Sequence, residues 1–374
     1  LPAWWEEAPF ERQVTKERLT MVAPESSLTV ELNSKRLKES PHPSYTILRS
    51  TFDRWLADQV AERGGFIIPG YQVEDLVIEE GIVQGIVSAG DTIHADVVVA
   101  ADGTLSFLAE KAGLREIRDP QHYAMGAKEI IELPAETIQE RFGLGEGEGA
   151  AQLFFGSLTE GMMGGGFLYT NRESLSLGLV VGLHDLAEPD PGISPYELME
   201  SFKARPEIQA LIAGGHSVEY AAHALPEGGF DALPDRVVRD GLLLVGDAAG
   251  FALNMGLTVR GMDFAIASGV LAGQAIRRAR AQRDFSADNL SHYESLLKDS
   301  FICKDLETFR HMPPYLNNPR LFTHYPPAVI ELFEELLSFT SEPKERFMKT
   351  AFRSARENFL RWDVIKDLFG MRKL

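Results

Sequence analysis

The stretch that decides the reading is residues 241–276, GLLLVGDAAGFALNMGLTVRGMDFAIASGVLAGQAI. Leu242 to Val245 form a short unbroken apolar run, the pattern of a strand buried on both faces of a parallel sheet. The run stops at Gly246-Asp247, and a glycine-broken loop leads to an apolar-periodic helix that starts near Gly261-Met262. Ligands of open α/β sheets sit outside the carboxyl ends of the strands. Strand, acidic turn, glycine loop and helix start therefore make a seat for a large polar cofactor. The Asp247 carboxylate can accept from sugar hydroxyls, and Gly246, Gly250 and Gly256 let the backbone close on a ligand. Free N–H groups at the helix start favour an electron-rich ring edge. The competing reading is an ordinary strand–turn–helix with an aspartate cap.

A second turn of this kind lies at 97–114, VVVAADGTLSFLAEKAGL, where a buried strand ends in Asp102-Gly103 and a helix follows from Phe107 to Ala112. Alone, Asp-Gly is a common turn. Two such turns at one edge of one sheet are far more specific. Arg49, in YTILRSTFDRWL, stands just before a helix start, where anions gather, and can face a phosphate. A solvated surface arginine is the alternative.

Working outward, residues 11–32 read as a β-hairpin. Residues 50–63 read as a helix capped by Ser50, with Phe52, Trp55, Leu56 and Val60 on one face and Gly64-Gly65 at its end. Short strands follow: FIIPG, YQVEDLVIEEG, IVQGIVSAG and DTIHADVVVAADG. From about 120 to 240 the pattern is an antiparallel sheet (HYAMGAKEIIEL, AAQLFFGSL, GGGFLYT, SLSLGLVVGL, SVEYAAHAL), with a helix over 195–213 and a flexible link, GLGEGEGA. After 284 the pattern is helical, with a proline-rich break, MPPYLNNPRLFTHYPPA. The expected fold class is α/β with an α+β insert. A Rossmann-like nucleotide-binding domain is split into 1–118 and 241–283, an antiparallel domain at 119–240 is inserted, and a helical region at 284–374 follows.

Composition narrows the function. The 374 residues carry a net charge of -18, which disfavours nucleic acid as a partner. The one cysteine, Cys303, cannot by itself build a disulfide, a zinc site or an iron–sulfur cluster, and it reads as an inert helical residue. No apolar run is long enough to span a bilayer, and LPAWWEEAPF lacks the regions of a signal peptide. The pyrophosphate fingerprint G-x-G-x-x-G after a first strand is missing, and GEGEGA lacks the strand and helix that would make it one. With no initiator methionine either, the chain is expected to begin inside a longer protein. No acid–base pair or nucleophile constellation stands out. Met162, Met163 and Phe167 could line an apolar channel or touch a bilayer surface, with a sheet core of tight glycine turns as the alternative. Arg260 could put charge near a bound ring, with a salt bridge as the alternative, and His223 reads as structural.

Arg49, the Asp102 turn and G-D-A-A, in this order, resemble glutathione-reductase-type flavoproteins of the hydroxylase and geranylgeranyl-reductase kind. The stretches HALPEGGFDALPDRVVRDGLLLVGDAAGFALNMGLTVRGMDFAIASG (223–269) and GGGFLYTNRESLSLGLVVGL (164–183) are more specific. They resemble the FixC-type dehydrogenases related to electron-transfer flavoprotein:quinone oxidoreductase, over most of the chain. The resemblance implies FAD as cofactor, electrons taken from a two-subunit electron-transfer flavoprotein, delivery towards quinone, and a role linked to nitrogen fixation. It places Arg49, Asp102 and Gly103 in the FAD site, Gly246 and Asp247 at the ribityl chain, the loop Gly250–Met262 against the isoalloxazine, and the backbone of Val73 at the adenine. It also implies that an iron–sulfur cluster sits on a separate ferredoxin-like subunit. The expected location is the cytoplasm, with peripheral contact at the inner face of the cell membrane. The alternatives are an FAD-dependent geranylgeranyl-type reductase or hydroxylase, and a non-catalytic scaffold lacking a complete FAD site.

Overall fold

The structure is a computed structural model and describes residues 4–39, 44–116, 119–187, 192–341, 343–360 and 362–372. Its central strand is Leu242–Leu244, whose three leucines are fully buried. It runs parallel to Val98–Ala100, with Leu242 beside Val98 and Leu244 beside Ala100, and the Val245 N–H donates to the Ala100 carbonyl at 3.1 Å. Both strands thus stop at one edge, and the Asp102-Gly103 and Gly246-Asp247 turns leave side by side. Val238–Arg239 completes a three-stranded sheet on the other flank. Val98–Ala100 is the edge strand, and it is buried on one face only: Val98 and Ala100 point inward while Val99 is 40% exposed. The apolar run Val97–Ala100 reads in sequence as a strand buried on both faces, and Val99 departs from that.

The helix Met262–Gln282 packs on the turn Gly246–Ala249. It buries Phe264, Ser268, Ala272, Ala275 and Ala279, mostly small residues that let helix and strand approach closely. The buried Tyr293 hydroxyl donates to the Leu244 carbonyl at 3.0 Å, which ties the next helix layer to the central strand.

A separate antiparallel sheet, Val73–Glu79, Ile82–Ser88 and Asp91–His94, leans on the helix Phe107–Lys111. Two local expectations change. FIIPG is not a strand, and Phe66 is 90% exposed. The helix expected from Ser50 runs Arg49–Glu62, with Leu48 at its cap position and no side-chain cap. Leu56 and Val60 lie on its exposed side.

The large sheet has eight strands in the order His216–Pro226, Tyr123–Glu132, Ser174–Gly182, Gly164–Thr170, Glu148–Gly156, Gln13–Val22, Ser27–Asn33, with Ser44–Tyr45 also on Gln13–Val22. The hairpin read at 11–32 forms, but it joins this sheet, because Gln13–Val22 pairs in parallel with Glu148–Gly156. One face is covered by the helices Ala135–Phe142, Pro195–Ala204 and Pro206–Ile212 over Phe154, Leu168, Leu175, Leu177 and Leu179. The single helix expected over 195–213 breaks at Arg205, which adopts an extended conformation before Pro206.

The C-terminal prolines start helices rather than break them. Met312–Leu316 and Tyr325–Leu337 both carry proline in the first turn, where its missing N–H has no intrahelical acceptor to lose. The last helix, Trp362–Met371, is docked by Asp367, which accepts from Arg320 at 2.6 and 2.7 Å and from the Tyr325 hydroxyl at 2.5 Å. The Arg320 contacts, foremost, hold this carboxyl down to about 2. Helix Phe347–Asn358 is turned inside out: Thr350 and Ser354 face the protein, while Phe347, Met348 and Phe352 face outward. No described helix is long and apolar enough to cross a membrane.

Gly156 marks the tightest point of the parallel pairing. Its φ is +121°, and a Cβ there would lie 2.1 Å from the Val22 carbonyl oxygen. Gly156→Ala is expected to cost about 2–4 kcal/mol, read as a lowered denaturation midpoint with an unchanged denaturant slope.

Candidate functional site

One buried side chain joins the two turns. Arg115 donates to the Thr104 carbonyl at 3.2 Å, to the Asp247 carbonyl at 2.9 Å and to the Ala248 carbonyl at 3.0 Å. Its other nitrogen donates to the Tyr123 hydroxyl at 3.2 Å, and the guanidinium lies over that ring. These acceptors are neutral, so the Arg115 charge is not cancelled by a bonded carboxylate and adds positive potential at the strand ends. Sequence reading missed Arg115, because an arginine after a helix carries no motif of its own.

Asp247 lies between these turns. Burial pushes its carboxyl up; His223, Arg49 and Arg115, in that order, pull it down, as does a hydrogen bond from the Thr104 side chain. Asp247 is therefore the common neighbour of the 102–104 turn, the helix start at Arg49 and the last strand of the large sheet. His223, expected to be structural, belongs to this electrostatic group.

The other expected residues divide. Arg49 is the first residue of its helix; it forks onto Asp53 with contacts of 2.8–3.0 Å and feels Asp247 more weakly. The Asp102 carboxylate is turned to its own helix, accepting from the Ser106 hydroxyl at 2.6 Å and the Leu108 N–H at 3.2 Å. Gly103 has φ +85° with open space where a Cβ would stand. Gly246 and Gly250 have φ +56° and +79°; the Gly246 N–H donates to Ser268 at 2.9 Å. Val73 sits in the separate three-stranded sheet, partly buried against the core. Arg260 takes the salt-bridge option, held by Asp263 and Asp305 and stacked against Phe264 and Phe301. Cys303 is half-buried in the helix Phe301–Thr308, and burial raises its thiol pKa.

Gly261 precedes the 21-residue helix Met262–Gln282 and provides no side-chain cap. The first-turn Asp263 is engaged by Arg260. The helix-start N–H groups are thus without a side-chain cap, close to the turn that bears Asp247. Acceptors for sugar hydroxyls, uncancelled positive charge and uncapped helix-start donors together fit a flavin dinucleotide.

The face of the large sheet away from its helices continues from this point. The strand registers set His223 beside Gly126, Gly126 beside Val180, and Val180 beside Gly165. The next row runs Lys128, Gly178, Phe167, Leu153, Leu19, and the one after it Ile130, Ser176, Tyr169, Ala151, Glu17. This face is lined largely by small and apolar residues; the Lys128–Glu219 ion pair lies at its outer strands, and Tyr169 and Glu17 stand at its far end. Burial first, and Glu17 second, push the Tyr169 phenol up to about 12; burial also raises Glu17. Of the three residues expected to line a channel, Phe167 is on this face, stacked on Tyr169 at 5.1 Å. Met163 is covered by Phe322, and Met162 packs against the opposite core.

Glu227, in Pro226-Glu227-Gly228-Gly229, is 7% exposed, and burial pushes its carboxyl up to about 7 against a hydrogen bond from Asn254.

Comparison with known proteins follows this geometry. A family model described as "ETF-QO, ubiquinone-binding" matches residues 123–225, and one described as "ETF-QO/FixC family C-terminal domain" matches residues 312–374. The chain is 42% identical to the probable electron transfer flavoprotein-quinone oxidoreductase YdiS of Escherichia coli K12, over 96% of this chain and 82% of that protein. It is 41% identical to the protein FixC of Escherichia coli O157:H7, over 100% of this chain and 85% of the relative. A solved geranylgeranyl bacteriochlorophyll reductase-like protein from Thermoplasma acidophilum shares the fold, with a TM-score of 0.67 at 18% identity, over 96% of this chain and 83% of that one.

Two stability measurements check this site. Arg115→Met leaves three carbonyls and a phenol short of a charged donor and is expected to cost about 3–5 kcal/mol by chemical denaturation. Glu227 carries a pH signature. Its folded pKa lies above the unfolded carboxyl value, so the fold is favoured at low pH and loses stability as pH rises to about 7, then levels off. Glu227→Gln removes that loss. Its stability gain over wild type should be about 2–3 kcal/mol larger at pH 8 than at pH 5.

Proposed function

The chain belongs to the ETF-QO/FixC family, and we propose that it is an FAD-dependent oxidoreductase passing electrons from a two-subunit electron-transfer flavoprotein to quinone. The observation that carries this reading is the pair of strand-end turns stapled by Arg115, with Asp247 between them. Bound FAD would supply the redox chemistry. Around it, Gly246 and Asp247 would hold the ribityl region, and Arg49 and Arg115 would favour the diphosphate. Gly103, Gly250 and Gly256 would keep the backbone close, Gly261 and Met262 would present helix-start N–H groups to the ring edge, and Val73 would flank the adenine. Asp102 acts through the helix it caps.

The open face of the large sheet supports a quinone seat, because its apolar rows start at His223, beside Asp247. Apart from Leu19 and Glu17 of the strand Gln13–Val22, these rows come from the stretch matched by the ubiquinone-binding model. Cys303 by itself cannot hold an iron–sulfur cluster, and the reading adopts the separate ferredoxin-like subunit that the family resemblance implies. The FAD-binding part is drawn from 1–118 and 241–283, except that the hairpin 13–33 completes the sheet of the quinone side, 119–240; 284–374 forms the helical cover. Quinones dissolve in the bilayer, so the protein works at the inner face of the membrane. The outward Phe347, Met348 and Phe352, on a helix that also carries Lys349, Arg353 and Arg356, support contact with an anionic surface.

Purified protein is expected to show flavin bands near about 370 and 450 nm, to be bleached by reduced electron-transfer flavoprotein but not by NAD(P)H, and to recover on adding a quinone. No flavin bands would support the scaffold reading; recovery with a prenyl substrate and not with quinone would support the reductase. For the surface, replacing Phe347, Met348 and Phe352 by serine should reduce co-sedimentation with anionic vesicles, and unchanged binding would remove this helix from the contact.

A further inference from the structure

The stretch expected as a loop from Gly250 to Met262 contains a small hairpin, Leu253–Asn254 against Val259–Arg260. It is anchored at both ends. Arg260 is held by Asp263 and Asp305. At the other end the Asn254 side chain works in two directions: its carbonyl accepts from the Gly256 N–H at 2.9 Å, and its amide donates to Glu227. Gly256 has φ +80°, and a Cβ there would stand 3.0 Å from the Met312 side chain, so the turn has little room to move on that side.

Glu227 itself is firmly set. Its N–H donates to the His122 carbonyl at 2.8 Å. The next residue, Gly228, is wedged so tightly that a Cβ would lie 2.2 Å from Ala232 and 2.9 Å from the His122 side chain. Gly229 has φ +61° and lies against Pro313. A carboxyl so deeply buried is costly to keep, and neither the Arg115 clamp nor the Asp247 group uses it.

We propose that Glu227 is a positioning residue: through Asn254 it fixes the hairpin 253–260, and the gain or loss of its proton changes how that hairpin lies against the flavin. The proposal rests on the FAD reading above. An ionised carboxylate is a strong acceptor for the Asn254 amide. A protonated acid is a weaker acceptor and brings a proton that itself needs a partner. The hairpin therefore has two states of different tightness at one anchor, while the Arg260 anchor stays as it is.

Burial supports a transition in the neutral range. The charged and titratable groups on the surrounding elements have other partners. His122 approaches Asp119 at 4.0 Å, Asp231 pairs with Arg310 and lies near His311, and His223 faces Asp247. Arg260 is shared between Asp263 and Asp305.

The test is the visible spectrum of the flavin-loaded protein titrated from about pH 5 to 9. Wild type should show a band shift with a single midpoint near 7. Glu227→Gln keeps the shape of the side chain but cannot ionise, and should show no such step. Asn254→Ala cuts the link while leaving the carboxyl in place, and should also lose the step; it carries the test if Glu227→Gln does not fold. A wild-type spectrum without the step, or a step that survives in either variant, overturns the proposal and leaves the FAD reading standing. Wild-type protein with no flavin bands at any pH sinks the FAD reading and this proposal with it.

Discussion

The buried Arg115 guanidinium is the constraint on which the site depends. Two strands that end at the same edge would leave two loops free to splay. Arg115 reaches carbonyls in both and a tyrosine in the large sheet, so three parts of the chain share one rigid point. Such a donor in a water-poor setting is strong only while every acceptor stays in place. The arrangement therefore fixes the turn geometry and, through it, the position of Asp247. The partners bonded to the guanidinium, Thr104, Asp247 and Ala248 through their carbonyls and Tyr123 through its hydroxyl, are all neutral groups.

From that point the structure opens in two directions. Inward, Ser268 and Tyr293 tie the Gly246 turn and the Leu244 strand to the helices behind them. Outward, the registers of the large sheet carry a run of small and apolar residues from His223 towards Tyr169 and Glu17. The C-terminal helices close over part of this face, with Phe322 on Met163 and Met312 beside Gly256. Cofactor turn, apolar face and helical cover are thus adjacent, although each comes from a different stretch of sequence.

Much of this was legible from local pattern. The Leu242–Val245 run, its partner ending at Asp102-Gly103 and the helix from Met262 all follow from burial and turn chemistry within a few residues. The antiparallel strands between 120 and 226 follow from short apolar runs set between glycine-rich loops. What failed depends on distant partners. FIIPG is apolar enough for a strand, but it lies exposed outside both neighbouring sheets. The hairpin at 13–33 reads correctly as a hairpin, yet nothing local says that it pairs with Glu148–Gly156. The bonds that Asp102 accepts from Ser106 and Leu108 likewise have no local signal in the sequence. Arg115 and Glu227 gain their roles only from burial, which single residues do not announce. The motif Pro-Glu-Gly-Gly was the one signal available for Glu227, and Gly228 shows why that packing demands glycine.

The central claim is that the paired turns form the flavin side of an FAD site. It is tested most directly by an experimental structure of the flavin-loaded protein. The ribityl chain is expected within hydrogen-bond reach of the Asp247 carboxylate, and the ring between the 253–260 hairpin and the His223 end of the large sheet. A flavin bound elsewhere, with Asp247 in contact only with protein, would contradict it.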